Sequence, residues 1–130
     1  VNLRAIRTEL ARRCGGRGFT LYDTLPGDAE LPAIAVGWPA AVRFTATLAG
    51  GAEIDDLPII VVFGRADDER AQELLDELLS SDLIDAIRDA PSSLWVEIDV
   101  NEARNIGTTK LGATEVLTCE LPVQLHTLNS

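Results

Sequence analysis

Histidine occurs once, cysteine twice and methionine not at all in the 130 residues, and aromatic side chains make up only 5%. A single histidine supports neither a histidine metal cluster nor a histidine-based relay. His126 and Cys119 are separated by an odd number of positions, which puts their side chains on opposite faces of a regular strand and argues against a Cys/His nucleophile pair. His126 is therefore expected to be a surface residue. The cysteines match no metal spacing and are expected to be buried free thiols in a reducing compartment. No Cys-x-x-Cys, His-Glu-x-x-His, Gly-x-Ser-x-Gly, Walker or EF-hand pattern is present. Gly15-Gly16-Arg17-Gly18 follows a helical pattern instead of opening one, so it predicts a helix stop and not a phosphate loop. Ser80, Ser81, Ser92 and Ser93 suit caps and turns. No catalytic residue, metal or cofactor is expected, and the protein is expected not to be an enzyme.

Long apolar runs are also missing. The longest stretch without charged or strongly polar residues, Leu31 to Val42, is broken by Pro and Gly and falls short of the roughly 18 to 20 residues that span a bilayer. No basic-then-apolar leader opens the chain, so neither membrane insertion nor classical secretion is expected. Val1 fits a removed initiator methionine in a cytoplasmic protein, or a start trimmed in cloning. Cations are scarce: 11 Lys and Arg face 21 Asp and Glu, a formal charge of −10, which excludes general attraction to phosphate backbones. The imbalance is regional. Residues 1–17 carry Arg4, Arg7, Arg12, Arg13 and Arg17 against Glu9 alone, whereas residues 53–102 carry 15 carboxylates against Arg65, Arg70 and Arg88. Such a chain suits head-to-tail association of a basic face with an acidic one; two solvated surfaces would look the same.

The chain contains 46% apolar and 25% charged residues, the composition of an ordinary globular protein, and its length suits one domain over residues 1–130. Leu3, Ile6 and Leu10 recur at helical spacing from Asn2 to Arg13, giving an amphipathic helix with an arginine-rich outer face. Strands are expected at Phe19–Tyr22 and Ala33–Gly37. A half-buried strand follows at Val42–Leu48, with Val42, Phe44, Ala46 and Leu48 inward, then a reversal at Gly50-Gly51 and a strand over Ile54–Phe63. The run Ile59-Ile60-Val61-Val62-Phe63 predicts cover on both faces of that strand's second half. A helix is expected over residues 67–79, capped by Asp67 and burying Ala71, Leu74, Leu75 and Leu78, with Leu79 on the same stripe. A short helix with Leu83, Ile84 and Ile87 then runs to Pro91. Alternation places Leu94, Val96, Ile98 and Val100 inward on one strand, and Leu117, Cys119, Leu121, Val123 and Leu125 inward on the last. Pro122 predicts a free edge or a bulge there. Asn101–Gly112 reads as a polar loop or loose hairpin. This order predicts an α+β fold: a mostly antiparallel β-sheet with helices packed on one side.

Asp55-Asp56 and Asp67-Asp68-Glu69 flank a buried strand. Paired carboxylates can bind a divalent cation or act as the acid and base of a hydrolase, but neither pair has a second ligand set or the aromatic walls of a sugar site, so a solvated turn and a helix cap are expected. Trp38-Pro39 lies in a turn, where a Trp packs into the core or into a contact with another subunit.

The opening Asn2-Leu3-Arg4-Ala5-Ile6-Arg7, the Leu21-Tyr22-Asp23 strand-turn with Pro26 following, and the strand entry Leu31-Pro32-Ala33-Ile34-Ala35-Val36-Gly37 carry a resemblance. So do Phe63-Gly64-Arg65-Ala66-Asp67-Asp68-Glu69-Arg70-Ala71-Gln72, where a buried strand leads into a leucine-rich acidic helix, and Leu111-Gly112-Ala113-Thr114-Glu115. In order and spacing these segments resemble the tail-terminator family of long-tailed, siphovirus-type phages, especially those of actinobacteria. The chain departs from the family in its short Trp38–Ala41 stretch and in Asn101–Lys110, regions where contacts with neighbouring proteins are expected to vary.

The resemblance implies a structural virion protein at the head-tail junction, assembled in the host cytoplasm. There a homo-oligomeric ring, usually a hexamer, caps the tail tube protein and joins it to a neck or head-completion protein, while DNA passes through the hole without specific binding. On that basis Arg4, Arg7, Arg12, Trp38 and Pro39 are subunit-interface candidates. Asp55, Asp56 and Glu102, expected on projecting turns, are pore-lining candidates whose charge would repel DNA phosphates within a Debye length of about 8 Å. A head-completion or neck protein of the same junction is the alternative, and a small-ligand-binding α+β domain, which needs a concave pocket with convergent polar groups, a more distant one.

Overall fold

The computed structural model describes residues 2–15, 18–44, 51–80, 83–89 and 91–127. Its elements run α1 (Leu3–Arg13), β1 (Thr20–Tyr22), β2 (Ala33–Val36), β3 (Ala41–Phe44), β4 (Ala52–Arg65), α2 (Glu69–Ser80), α3 (Leu83–Arg88), β5 (Glu97–Asp99), β6 (Arg104–Leu111) and β7 (Thr114–Thr127). Ala46, Leu48 and Gly50 of the expected hairpin, Gly16 and Arg17 after the first helix, and Ser81-Asp82 lie outside the described residues.

The fold is α+β: among the described residues, three helices and a seven-stranded, mostly antiparallel sheet in the order β1-β2-β4-β7-β5, with β3 also paired to β4 and β6 to β7. β4 and β7 are each 14 residues long and pair antiparallel along nearly their whole length. Their core-facing residues are Ile54, Leu57, Ile59, Val61 and Phe63 on one and Cys119, Leu121, Val123 and Leu125 on the other. Strand side chains alternate between faces, and Ile54 and Leu57 can share a face only because a bulge intervenes. That bulge falls on Asp55-Asp56, with Asp56 at φ 55°. Both carboxylates are thereby turned away from the core.

Pro58 and Pro122 stand opposite each other in the central ladder. The Pro58 carbonyl accepts from Gly37 N at 2.8 Å, on the β2 side, so the pair is one whose backbone groups point away from each other and neither missing N–H breaks a β4–β7 bond. Pro58 sits where the outer neighbour of β4 changes from β2 to β3, and Pro122 where that of β7 changes from β6 to β5. The free position expected at Pro122 is thus a gap between two short strands flanking a central one.

Helices close one face. Ile6, Leu10 and Cys14 of the α1 region, Ala71 and Leu78 of α2, and Leu83 and Ile87 of α3 join the strands in one hydrophobic cluster. Asn2 Oδ1 caps α1 by accepting from Ala5 N at 3.1 Å. The capping residue of α2 is Asp68, which accepts from Arg70 N at 2.9 Å, whereas Asp67, the expected cap, pairs with Arg65 in solvent. Of the expected stripe, Ala71 and Leu78 are buried, Leu74 and Leu75 half-buried and Leu79 52% exposed. Leu78, in the last turn, still reaches the core, so within that turn only Leu79 of the stripe faces solvent.

One pairing was not anticipated, and three further expectations are corrected. β1 pairs with β2 in parallel, the one parallel pair described. The Leu94–Val100 alternation is a strand only over Glu97–Asp99, and before it the pattern inverts: Trp95 is buried and Val96 is 53% exposed. A bulky aromatic with a cationic partner beneath α1 outweighs the strict period there. Asn101–Gly112 yields a true strand, β6 (Arg104–Leu111), whose residues are exposed or half-buried, in keeping with its polar composition. Phe44, expected inward, is 79% exposed, since the helix layer stops short of β3. The β1–β2 loop crosses to the far side of the sheet, where Gly27 packs on Gly112; a Cβ at Gly112, whose φ is 62°, would lie 2.8 Å from the Gly27 oxygen.

Replacing Leu78 with Ala removes a buried side chain and leaves a cavity, which should cost about 2 to 5 kcal/mol. The same change at half-buried Leu75 should cost about 1 kcal/mol. Urea unfolding of both variants measures this; equal losses would place Leu75 as deep in the core as Leu78.

Candidate functional site

The arginines of α1 are mostly internal fasteners. Arg7 is 7% exposed, and its guanidinium donates to the Val36 carbonyl (2.7 Å), the Gly37 carbonyl (3.0 Å) and the Asp23 carbonyl (2.9 Å), with the Asp23 carboxylate at 3.3 Å. Trp38 lies over it, 4.1 Å from ring centre to guanidinium carbon. One side chain thus ties α1 to the end of β2 and to the loop after β1. Arg13 does the same on the other side of the helix. It donates to the Ile87 carbonyl at the end of α3 (2.8 Å) and the Pro91 carbonyl (3.0 Å), and stacks at 4.8 Å on Trp95. Arg12 is exposed and bonded to Glu9. Hydrogen bonding from Arg12 draws the Glu9 carboxyl down to about 2 against its own partial burial, with Arg13 adding to the effect. Arg4 is exposed, and no ion pair involves it among the described residues.

Of the five interface candidates, Arg7 is therefore withdrawn: it faces its own chain, because an arginine fork that satisfies three carbonyls is worth more inside than in solvent. Trp38 is 65% exposed and Pro39 half-buried, so Trp38 is not core. It covers Arg7 with one face and meets solvent with the rest.

The sheet face opposite the helices carries the charge. Directly opposed residues of an antiparallel ladder share a face, so the register aligns Arg43, Glu53, His126 and Glu97 in one row across β3, β4, β7 and β5. Asp55, Gln124 and Asp99 form the next. Arg43 bonds Glu53 at 3.0 Å and also grips Asp55. From the other flank, Arg104 grips Asp56 and reaches Glu120 at 3.3 Å. The Gln124 amide, oriented to donate to Asp55 (3.0 Å), accepts from Asp56 N (3.2 Å). Asp55 and Asp56 lie inside β4 at the bulge, not on a turn, and each is held by an arginine. Their expected role as free, projecting charges is corrected accordingly. Glu102 is exposed in the segment before β6, beside a groove of about 320 Å³ that includes Leu78, Leu79 and Ile84 of the helices. It lies on the helix side, apart from Asp55 and Asp56. Glu53, Glu97 and Asp99, whose proximity depends on pairing between distant strands, went unsingled in the sequence; the only signal was their alternation with apolar neighbours.

Chemistry is limited. Among the described residues no group of three or more His, Cys, Asp or Glu can hold a metal ion. His126 is half-buried between Glu53 and Glu97 of the neighbouring strands, with no serine or cysteine beside it in the ladder. Cys14 and Cys119 are buried free thiols, and burial, followed by the charge of Glu120, pushes the Cys119 thiol up to about 12. A groove of about 390 Å³ between α1 and β1, lined by Ala11, Leu21 and Val36, has its arginines already engaged. Among the described residues no helix is long and apolar enough to cross a membrane. No protein-family model matches the chain, and no curated protein matches it significantly.

Truncating Arg7 to Ala leaves three carbonyls without their donor and should cost about 3 to 5 kcal/mol. Arg12→Ala should cost at most about 1 kcal/mol, as for exposed ion pairs generally. Thermal melts of the two variants distinguish them, and a mild effect at Arg7 would return it to the list of interface residues.

Proposed function

We propose that the protein is a tail terminator: a ring-forming virion protein that ends the tail tube at its head-proximal side, presents a surface to the neck, and lets DNA pass through its centre. The observation that carries this is the division of the sheet into two faces. Three helices and the whole apolar cluster occupy one, while the other displays Glu53, Asp55, Asp56, Glu97, Asp99 and Glu120 against Arg43 and Arg104. An acidic surface pre-neutralised in part by its own arginines repels a phosphate backbone without trapping it. Turned inward in a ring, it forms a lining over which DNA slides.

The order and spacing of the family-like segments support the same reading, as does a fold with no reacting constellation among its described residues. The pore-lining role passes from Asp55, Asp56 and Glu102 to the row around Glu53, Glu97 and Asp99, where the carboxylates outnumber their cations. Of the assembly candidates, Arg4, Arg12, Trp38 and Pro39 remain and are joined by exposed Phe44 and Val96.

Negative-stain microscopy and sedimentation of the purified protein test the proposal. Rings of six with an open centre, and no retention of duplex DNA at physiological salt, are expected. A species that stays monomeric at rising concentration, or one that binds DNA, would contradict it.

A further inference from the structure

The lower half of the sheet, where β3, β4, β7 and β5 lie side by side, has two outer edges that pair with no further strand among the described residues. Its rows end in complementary ways. On the charged face, the row Arg43, Glu53, His126, Glu97 begins with a cation at the β3 edge and ends with an anion at the β5 edge. On the helix side, the row Val42, Ile54, Leu125, Ile98 is fully buried in the middle and half-buried at both ends. The next row on that side holds Phe44, Ala52 and Thr127, of which Ala52 and Thr127 are buried and Phe44 is 79% exposed; at the same end of the sheet Val96, which precedes β5 outside the strand register, is 53% exposed. A sheet that terminated at β3 and β5 would be expected to end in polar, shielded edges; these ends are apolar on one face and oppositely charged on the other.

We infer that the β5 edge of one copy docks on the β3 edge of the next, continuing the sheet from subunit to subunit. This rests on the ring proposed above and names the strands that close it. β3 runs opposite to β4, β4 to β7 and β7 to β5, so β3 and β5 of a subunit are antiparallel. Two copies related by rotation about an axis near the strand direction bring β5 against a neighbour's β3 in antiparallel sense. A closed ring has no net rise along its axis, so rows meet row for row. Glu97 then lies beside the neighbour's Arg43 and Ile98 beside its Val42, with Val96 at the same end of the seam as its Phe44. Backbone pairing supplies direction, while the Ile98 and Val42 contact completes the burial of two half-buried apolar side chains. The contact is heterologous, so it propagates head to tail. The upper edges do not offer the same fit: β6 carries a bulge between Arg104 and Gly107 and a left-handed Asn105, features that spoil a strand as a template.

Two measurements test it. Phe44→Cys and Val96→Cys variants are prepared separately, mixed at a concentration where the wild type assembles, and treated with a short bismaleimide. The native thiols, buried at 0% exposure, leave the introduced ones to react. Covalent dimers are expected in the mixture and not in either variant alone, and the double variant should form a ladder up to ring size. Charge reversal gives an independent readout. Glu97→Arg should weaken assembly by about tenfold or more through like-charge contact with the neighbour's Arg43, and more at low salt than at high salt, while leaving the melting temperature of the isolated subunit unchanged. Assembly without cross-linking, self-cross-linking of either single cysteine variant, or full assembly of Glu97→Arg at low salt would overturn the β3–β5 contact while leaving a ring standing. A wild type that never leaves the monomeric state would remove the ring itself, and this contact with it.

Discussion

The pairing of β4 with β7 is the constraint on which the rest of the molecule depends. These two strands supply nearly half of the apolar cluster, carry every other strand of the sheet except β1, and set the register that decides which residues share a face. A slip of one position would exchange the two faces wholesale, moving Ile59 and Leu121 into water and Glu53 and Glu120 onto the helices. The Asp55-Asp56 bulge guards against this. It accommodates one of the two register shifts along β4, the other falling between Val62 and Gly64, and Arg43 and Arg104, reaching in from opposite flanks, bind the two extruded carboxylates. The same pairs that keep register also temper the charge of the face on which the proposed DNA lining of Glu53, Glu97 and Asp99 stands.

Against this sheet, α1 is fastened by an unusual repetition. Arg7 and Arg13 each thread a guanidinium between the helix and distant carbonyls, and each is covered by a tryptophan. Buried cations of this kind are tolerable only when every donor has a partner, and no buried side-chain nitrogen or oxygen among the described residues lacks one. The basic N-terminal segment therefore contributes less to the outer surface than its arginine count implies, and the acidic character of the outside is correspondingly stronger.

The fold class was legible because periodicity reports burial. Alternation along Leu117–Leu125 and the 3.6-residue repeat of Leu3, Ile6 and Leu10 survive into β7 and α1 almost unchanged. Two kinds of information were not local enough to read. One is the identity of an arginine's partner: the fork of Arg7 ends on Val36 and Gly37, 29 and 30 positions along the chain, and nothing near Arg7 signals it. The other is any row that crosses strands. Arg43, Glu53, His126 and Glu97 are scattered over more than half of the sequence and become neighbours only through register. Asp55-Asp56 was misplaced on a turn for a related reason, since a doublet of aspartates inside a buried strand makes sense only once the bulge and its flanking arginines are seen. Trp95 and Val96 inverted the expected alternation because Arg13 offers the indole a cationic partner beneath the helix.

Head-to-tail closure of the sheet, with the helices outside and the carboxylates inside, is the central claim, and a cryo-EM map of the assembled protein that traces its strands tests it most directly. The account predicts a continuous β-lined hole in which β5 of each subunit borders β3 of the next, with Glu53, Glu97 and Asp99 facing the axis and α1, α2 and α3 on the periphery. A map in which the helices line the hole, or in which subunits meet through faces while their sheet edges stay free, would contradict it.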